Sequence, residues 1–587
     1  MKRSSLENKY NNFIQKNHFS QPIDSDKLYH IIKESISDFC RGANNPAIYC
    51  NGGHTKMLMS DFIFELKKVR YIVDNYSNTE SREGSGFRVI KDEEIEKNEI
   101  DAILISSFKF RSQIKQRLYE EHPNVKILDI YQILADNGIL LNSDYYYSTH
   151  PFQHYKRINQ LKNKYRNIDE VWQESVVISI IEELVLIKDL KTALVWAQIL
   201  STKNPSSNNL ELLSDLEDIY SEFKKSISNI SKENVLMLCL DGFRRKDFNE
   251  KDFHKVYKMV TDDWLYYDNF YSYSTSTFES LIPSYSENSN QNDDNYIRNC
   301  IEEKECRFIN EALIQDRQVY FYTDVEHYIN SNKIHYTESF QTITEKIWSF
   351  VQDGISIDKG LFYIHSLYES HYSFCNPYTE GDFVAEGTAL LFDYLPQKGG
   401  RMRTDYILQQ KDSLRFLDDV LYDLLSNINC KVVLFADHGN ILLPRDQKIE
   451  DIKQTKVLCD EELIQIPFAI KMNDIKEKVY HELHSLMEIN EIMIKVLNNI
   501  IPDEKERKYV KCGRSEIYNP DFIFIYKKMN CAKYLKAFEA FIFDKYKLVI
   551  FKGNDKELFS LPDDEIIHNE DLKNELLQMI CDSITIE

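Results

Sequence analysis

The chain has 587 residues, of which 43% are hydrophobic, and a formal charge of −22. At roughly 150 residues per domain this length predicts two to four domains with ordinary globular cores. So acidic a chain excludes general nucleic-acid binding, which needs basic surface, and its field repels a phosphate-bearing substrate unless cations are placed locally.

Residues 1–24 are polar and read as a loose or helical arm. Their stretch "MKRSSLENKYNNFIQKNHF" begins basic but has no apolar segment, so it is not a signal peptide. The 11 cysteines are an odd number without a CxxC pair, which suits free thiols in a reducing compartment. No stretch approaches the ~20 apolar residues of a membrane span. The expectation is a soluble, cytoplasmic protein with no transmembrane segment.

Residues 25–149 alternate short apolar runs with helical patterns. "AIYCNGG", "RYIVDN", "FRVI", "DAILISS" and "VKILDIY" read as strands, and segments such as "HTKMLMSDFIFELKK" as helices. That alternation predicts a parallel sheet with crossover helices, a Rossmann-like α/β module. The first strand ends at Gly52-Gly53 before a helix near His54, and the second ends at Asp74. Glycines opening a helix can cradle a phosphate, but "NGGHT" is not GxGxxG and equally describes a tight turn. The region resembles the small Rossmann-like modules attached to many bacterial capsule and glycan enzymes.

Residues 150–230 carry apolar residues at helical spacing, interrupted at "NPSSNN", and read as a helical connector. From 231 to 587 an α/β pattern returns, with "NVLMLCL", "QVYFYT", "LFYIHS", "CKVVLFA", "PFAIK" and "KLVIF" as strands.

Chemistry-bearing residues gather at strand ends in this last region. "NVLMLCLDGFRRKDF" ends an apolar strand on Asp241 and a glycine; "VVLFADHGN" ends another on Asp437, His438 and Gly439. In open α/β sheets, ligands lie outside the carboxyl ends of strands, so the two motifs are expected on one edge. "YSYSTSTFESLIPS" is crowded with hydroxyls, among them Thr275, Thr277 and Ser280. Such a cluster equally describes a helix N-cap and its neighbours, but beside a divalent cation a hydroxyl becomes an alkoxide nucleophile. "LFYIHSLYESHYSFCNP" places His365 at a strand end and His371 just beyond, able to donate protons or hold phosphate oxygens. Asp241, Thr277, Asp437 and His438 make three oxygen donors and one nitrogen, a set that suits one divalent cation, Zn²⁺, Mn²⁺ or Mg²⁺.

The order of these motifs resembles the sulfatase-like branch of the alkaline phosphatase superfamily. It is most similar there to phosphoethanolamine and lipoteichoic-acid-type transferases. "EELIQIPFAIK" and "DKYKLVIFKGNDKELFSLPDDE" resemble that family's closing segments, so the resemblance covers residues 231–587. It implies an alkaline-phosphatase/sulfatase-like catalytic domain with Asp241, Asp437 and His438 as metal ligands. Thr277 would be ligand and nucleophile, because Ser280 follows it by three; Thr275 is the alternative register. His365 and His371 would contact phosphate oxygens or protonate the leaving group. Arg244, Arg245 and Lys246, or Lys398, Arg401 and Arg403, would supply local positive potential, with Arg244, Ser280 and Arg401 assigned to substrate.

Departures from the family pattern narrow the expectation. No histidine stands near Thr455–Lys456, no cysteine replaces Thr277 as in sulfatases, and ligands for a second metal are not apparent. Without a membrane anchor, a nucleotide-activated donor and a sugar or polysaccharide acceptor are expected. The resemblance extends to soluble transferases that place O-methyl phosphoramidate on capsular sugars from a CDP-linked donor. The alternatives are a phosphatase or phosphodiesterase of the same superfamily, or a non-catalytic glycan-binding or scaffold protein.

Overall fold

A computed structural model of the chain describes residues 5–19, 25–52, 54–55, 58–59, 62, 64–75, 87–107, 110–137, 151–287, 300–323, 328–337, 341–371, 374–380, 405–440, 460–472, 478–516, 527 and 532–584. Its elements form an α/β architecture with two largely parallel sheets and one antiparallel sheet. Lys398, Arg401, Arg403 and the Thr455–Lys456 position lie outside the described residues.

Five short parallel strands, β1 (Pro46–Tyr49), β2 (Tyr71–Val73), β3 (Arg88–Ile90), β4 (Ala102–Ile105) and β5 (Lys126–Leu128), form the first sheet. Their order is β3-β2-β1-β4-β5. The central strands β1 and β4 are buried along their whole length, as continuous apolar runs in a helix-covered parallel sheet should be. Asp74 follows β2 and accepts a hydrogen bond from the Asn51 amide at 2.8 Å, fixing the turn after β1. Gly53 and residues 56–57, in the glycine-opened helix expected from the sequence, lie outside the described residues.

Four consecutive helices follow, Pro151–Asn167, Glu170–Leu186, Leu190–Lys203 and Ser207–Ser228. The polar break between the last two supplies a cap: Ser206 Oγ accepts from the Asn209 amide at 3.2 Å. The arm is helical over Ser5–Lys16, and its Leu6, Tyr10, Phe13 and Ile14 are buried. Tyr10 packs on Trp348, with ring centroids 5.3 Å apart. The arm thereby shares one hydrophobic core with the four helices and the sheet that follows.

That sheet has eight strands: β6 (Val235–Leu240), β7 (Leu265–Tyr271), β9 (Gln318–Tyr322), β11 (Ile334–Tyr336), β12 (Gly360–Ser366), β13 (Lys431–Phe435), β14 (Phe468–Lys471) and β15 (Lys478–Ser485). The order is β11-β9-β12-β6-β13-β14-β7-β15, and only β14 runs against the rest. A two-residue ladder joins β8 (Ile301–Glu302) and β10 (Ile329–Asn330) beside it. The strands β6, β12 and β13 are fully buried and sit side by side at the centre. Burial of each large apolar side chain there contributes roughly 1.5–3 kcal/mol.

The chain closes with an antiparallel sheet of β16 (Val510–Arg514), β17 (Phe538–Ile542), β18 (Tyr546–Phe551), β19 (Lys556–Ser560) and β20 (Glu565–Ile566). The helix Glu570–Ile584 packs on it through Leu576 and Ile580. Lys547 on β18 is fully buried, paired with Asp564 and with Glu461 at 3.4 Å.

Candidate active site

Register brings the motifs together. Cys239 on β6 pairs with His365 on β12 and with Phe435 on β13. Asp241 and Asp437 therefore each lie two residues beyond the same ladder rung, on adjacent parallel strands. His365 stands at that rung itself. All three are at most 1% exposed.

Two glycines and an asparagine lock the strand ends together. The Gly242 amide donates to Asp437 Oδ1 at 3.0 Å, and Asn440 Nδ2 donates to the Gly242 carbonyl at 2.6 Å. Gly242 has φ +63°, and a Cβ there would lie 2.4 Å from Asn440 Nδ2 and 2.7 Å from His371 Cδ2. A Cβ on Gly439 would lie 1.9 Å from the backbone oxygen of Glu462. The glycine of "DHG" is therefore dictated by the close pass of the short helix Glu461–Ile464.

The hydroxyl segment reaches this edge from β7. Thr277 opens the helix Thr277–Ser286, with Ser276 as its N-cap residue. Thr277 Oγ1 donates to Asp241 Oδ2 at 3.3 Å and lies 3.3 Å from His438 Nε2. The positive end of the helix dipole lies at this hydroxyl, a favourable place for an alkoxide or a bound phosphoryl group. Thr275 Oγ1 instead accepts from Arg514 Nη1 at 2.8 Å. Of the two sequence registers, Thr277 is the hydroxyl beside the carboxylate and imidazole.

Three imidazoles surround Asp241. Its carboxylate lies 3.2 Å from His365 Nε2, 3.6 Å from His438 Nε2 and 3.9 Å from His371 Nε2. Burial alone would raise the Asp241 pKa, but His371, His365 and His438 outweigh it and hold the carboxyl well below the usual range. His438 Nδ1 lies 2.7 Å from the Gly439 carbonyl, which can only accept, so Nδ1 donates there and Nε2 is the ring atom turned towards Asp241 and Thr277. Tyr328 OH, 3.0 Å from His365 Nδ1, orients that ring in turn.

The donor set fits a divalent cation. Asp241 Oδ1, Asp437 Oδ2 and His365 Nε2 are buried without a hydrogen-bond partner, although each is a strong polar group. Buried polar atoms left unpaired are costly, and a cation among them would satisfy all three. The described residues contain two overlapping ligand groups, Asp241–His371–His438 and Asp241–His365–Asp437, each with ligand atoms within 4.8 Å of one another. Sequence reasoning finds only one set because His365 and His371 read as phosphate contacts.

Arg244 and Ser280 have tasks other than the substrate contact assigned from sequence. Arg244 donates to Asp247 at 2.6 and 2.8 Å and to Glu462 at 2.8 Å, and is 5% exposed. Its guanidinium thus braces the loop after β6. Ser280 is fully buried and donates to the Asp437 carbonyl at 2.6 Å, joining the helix that Thr277 opens to the end of β13. Arg401 lies outside the described residues. Sequence reasoning missed Glu462, Asn440 and Tyr328. "DHGN" hinted at Asn440 by adjacency; the others are marked only by tertiary contact.

Solved structures this chain is similar to include sulfatases, phosphonate monoester hydrolases and a protein in the alkaline phosphatase superfamily. One is BT1596, a 2-O GAG sulfatase, at 13% identity and TM-score 0.42, covering 60% of this chain and 92% of that one. A second is the phosphonate monoester hydrolase of Agrobacterium radiobacter, at 11% identity and TM-score 0.37, covering 57% and 90%. A third is the periplasmic domain of EptC from Escherichia coli in complex with Zn, at 13% identity and TM-score 0.33, covering 48% and 90%. The family model "C2185-like, N-terminal" matches residues 43–128, the region of the first parallel sheet. No curated protein matches the sequence. Among the described residues no helix is long and apolar enough to cross a membrane.

Proposed function

We propose that this protein is a metal-dependent transferase that moves a substituted phosphoryl group through a covalent threonine intermediate to a sugar hydroxyl. The observation that carries the reading is the meeting of Thr277 Oγ1 with Asp241 Oδ2 and His438 Nε2, at 3.3 Å each, above a buried set of unpaired ligand atoms. Asp241, Asp437, His438 and His365 would hold the cation. When bound, it lowers the pKa of a neighbouring hydroxyl and offsets charge on phosphoryl oxygens. Thr277 Oγ1 forms a bond to phosphorus as the donor's P–O bond breaks, and its proton is released. His371, the most exposed of the three imidazoles, protonates the leaving oxygen. An acceptor hydroxyl then attacks phosphorus, and the bond to Thr277 Oγ1 breaks. Two inversions give net retention.

The proposed donor is nucleotide-activated, such as CDP-linked methyl phosphoramidate, and the acceptor is a hydroxyl of a capsular or other surface sugar; the proposed setting is cytoplasmic. The test incubates metal-loaded protein with a CDP-linked donor, with and without capsular oligosaccharide. Acceptor-dependent turnover with a phosphoryl adduct on Thr277 supports the transferase. Full-rate turnover without acceptor makes it a phosphodiesterase. Neither turnover nor metal uptake makes it a scaffold.

A further inference from the structure

The three cations at residues 244–246, just after Asp241, are each paired with a carboxylate. Arg244 pairs with Asp247 and Glu462, Lys246 with Glu462, and Arg245 with Asp268 at 2.7 Å. A reaction on a phosphoryl donor in a chain of charge −22 needs a cation that is not already matched.

Arg514 is such a cation. It ends β16 in the C-terminal antiparallel sheet and is half-buried. Its Nη1 donates to Thr275 Oγ1 at 2.8 Å, and the preceding Gly513 amide donates to the Tyr273 carbonyl at 2.7 Å. Two successive residues of β16 are thereby tied to the segment that leads into Thr277. Among the described residues Arg514 has no carboxylate within ion-pair distance. A threonine hydroxyl engages one of the five guanidinium donors and brings no charge. A half-buried guanidinium left in this state is suited to a planar, bidentate oxyanion. Residues 275 and 277 lie two apart in the chain, with Cα atoms at most about 7 Å apart, so the Arg514 end of β16 is anchored on the segment that carries the proposed nucleophile.

The geometry points to Arg514 as a specificity-determining residue that binds a second anionic group of the donor. The inference rests on the proposed phosphoryl transfer at Thr277 and makes its substrate class a pyrophosphate-linked donor, with the phosphorus that is not attacked held by the C-terminal sheet. A simple ester carrying one phosphorus leaves Arg514 without a partner. Discrimination therefore lies in a residue remote from the metal ligands.

The test uses the full-length, metal-loaded protein, with inorganic pyrophosphate and inorganic phosphate as competing inhibitors of bis(4-nitrophenyl) phosphate cleavage. Arg514→Met is expected to weaken inhibition by pyrophosphate at least tenfold and inhibition by phosphate less than threefold; Arg514→Lys is expected to fall between wild type and Arg514→Met. Equal changes for the two inhibitors, or none, overturn the inference. If the wild type cleaves no ester and turns over no CDP-linked donor with acceptor present, the phosphoryl-transfer reading fails. Calorimetric titration of pyrophosphate into wild type and Arg514→Met still decides the role of Arg514, since equal affinity overturns it. Arg514→Gln serves if Arg514→Met does not fold.

Discussion

Thr277 Oγ1 and His438 Nε2 lie 3.3 Å apart although 161 residues separate them in the chain. The helix N-terminus that carries the threonine and the strand end that carries the histidine are rigid elements, so the pair is set by the sheet and not by loop chance. Thr277→Ala is expected to abolish turnover, by at least about a thousandfold, as loss of a nucleophile does. Thr275→Ala should lower it far less. Steady-state rates and intact-mass detection of the phosphoryl adduct check both; a dead Thr275→Ala with an active Thr277→Ala moves the nucleophile by two residues.

Removing the cation should expose the cost of the unpaired atoms at Asp241, Asp437 and His365. Chelator-treated protein is expected to melt at a lower temperature. Adding Zn²⁺, Mn²⁺ or Mg²⁺ at a hundredfold excess over Kd should restore about 2.7 kcal/mol. Asp241→Asn and Asp437→Asn should each lower metal retained after dialysis by at least tenfold. Elemental analysis and calorimetric melting measure these effects.

Glu462 acts twice, through its carbonyl beneath Gly439 and its carboxylate on Arg244. Gly439→Ala must displace either the helix Glu461–Ile464 or His438, at about 1–3 kcal/mol for overpacking, with activity lost. Arg244→Met takes the guanidinium from the buried Asp247, which keeps the neutral Gln410 amide, while Glu462 keeps Lys246, and should destabilise by about 3 kcal/mol. Urea titration reads the stability. A change in KM without a change in stability would instead return Arg244 to the substrate.

A pH dependence follows from Asp189, which caps the helix Leu190–Lys203 by accepting from the Thr192 amide at 3.1 Å. Burial pushes its carboxyl from 3.8 up to about 6, against the hydrogen bonds from Thr192. The folded state thus holds a proton that the unfolded chain releases. Its contribution is present below about pH 4 and is lost as pH rises through about 6, a difference of roughly 3 kcal/mol. Asp189→Asn keeps the cap and removes the charge. It should stabilise the protein at pH 8 and have little effect at pH 4, as urea titrations at the two values would show.

The shared edge of Asp241 and Asp437 was legible in the chain because β6 and β13 are continuous apolar runs that stop short of a carboxylate, and such runs point to buried parallel strands. Thr277 was singled out by the family resemblance, since Ser280 follows it by three; the hydroxyl cluster by itself left Thr275 equally open. The strands β7 and β15 were not read, since Asp268 and Asn269 interrupt the apolar pattern of β7 and the edge strand β15 is only half-covered. The roles of Arg244 and Ser280 were misassigned because nearness in sequence to Asp241 and Thr277 says nothing of Glu462 or the Asp437 carbonyl, which approach from more than a hundred residues away. Arg514 reaches Thr275 across 239 residues, with no local pattern to mark it.

Positions 244, 439 and 462 are consequently bound into one inherited set. A lineage that shortens the acidic side chain at 462 orphans the arginine, and one that shifts the backbone there alters the clearance that demands glycine. Drift at any of the three is tolerated only with a matching change at another, so these sites should vary together or scarcely at all.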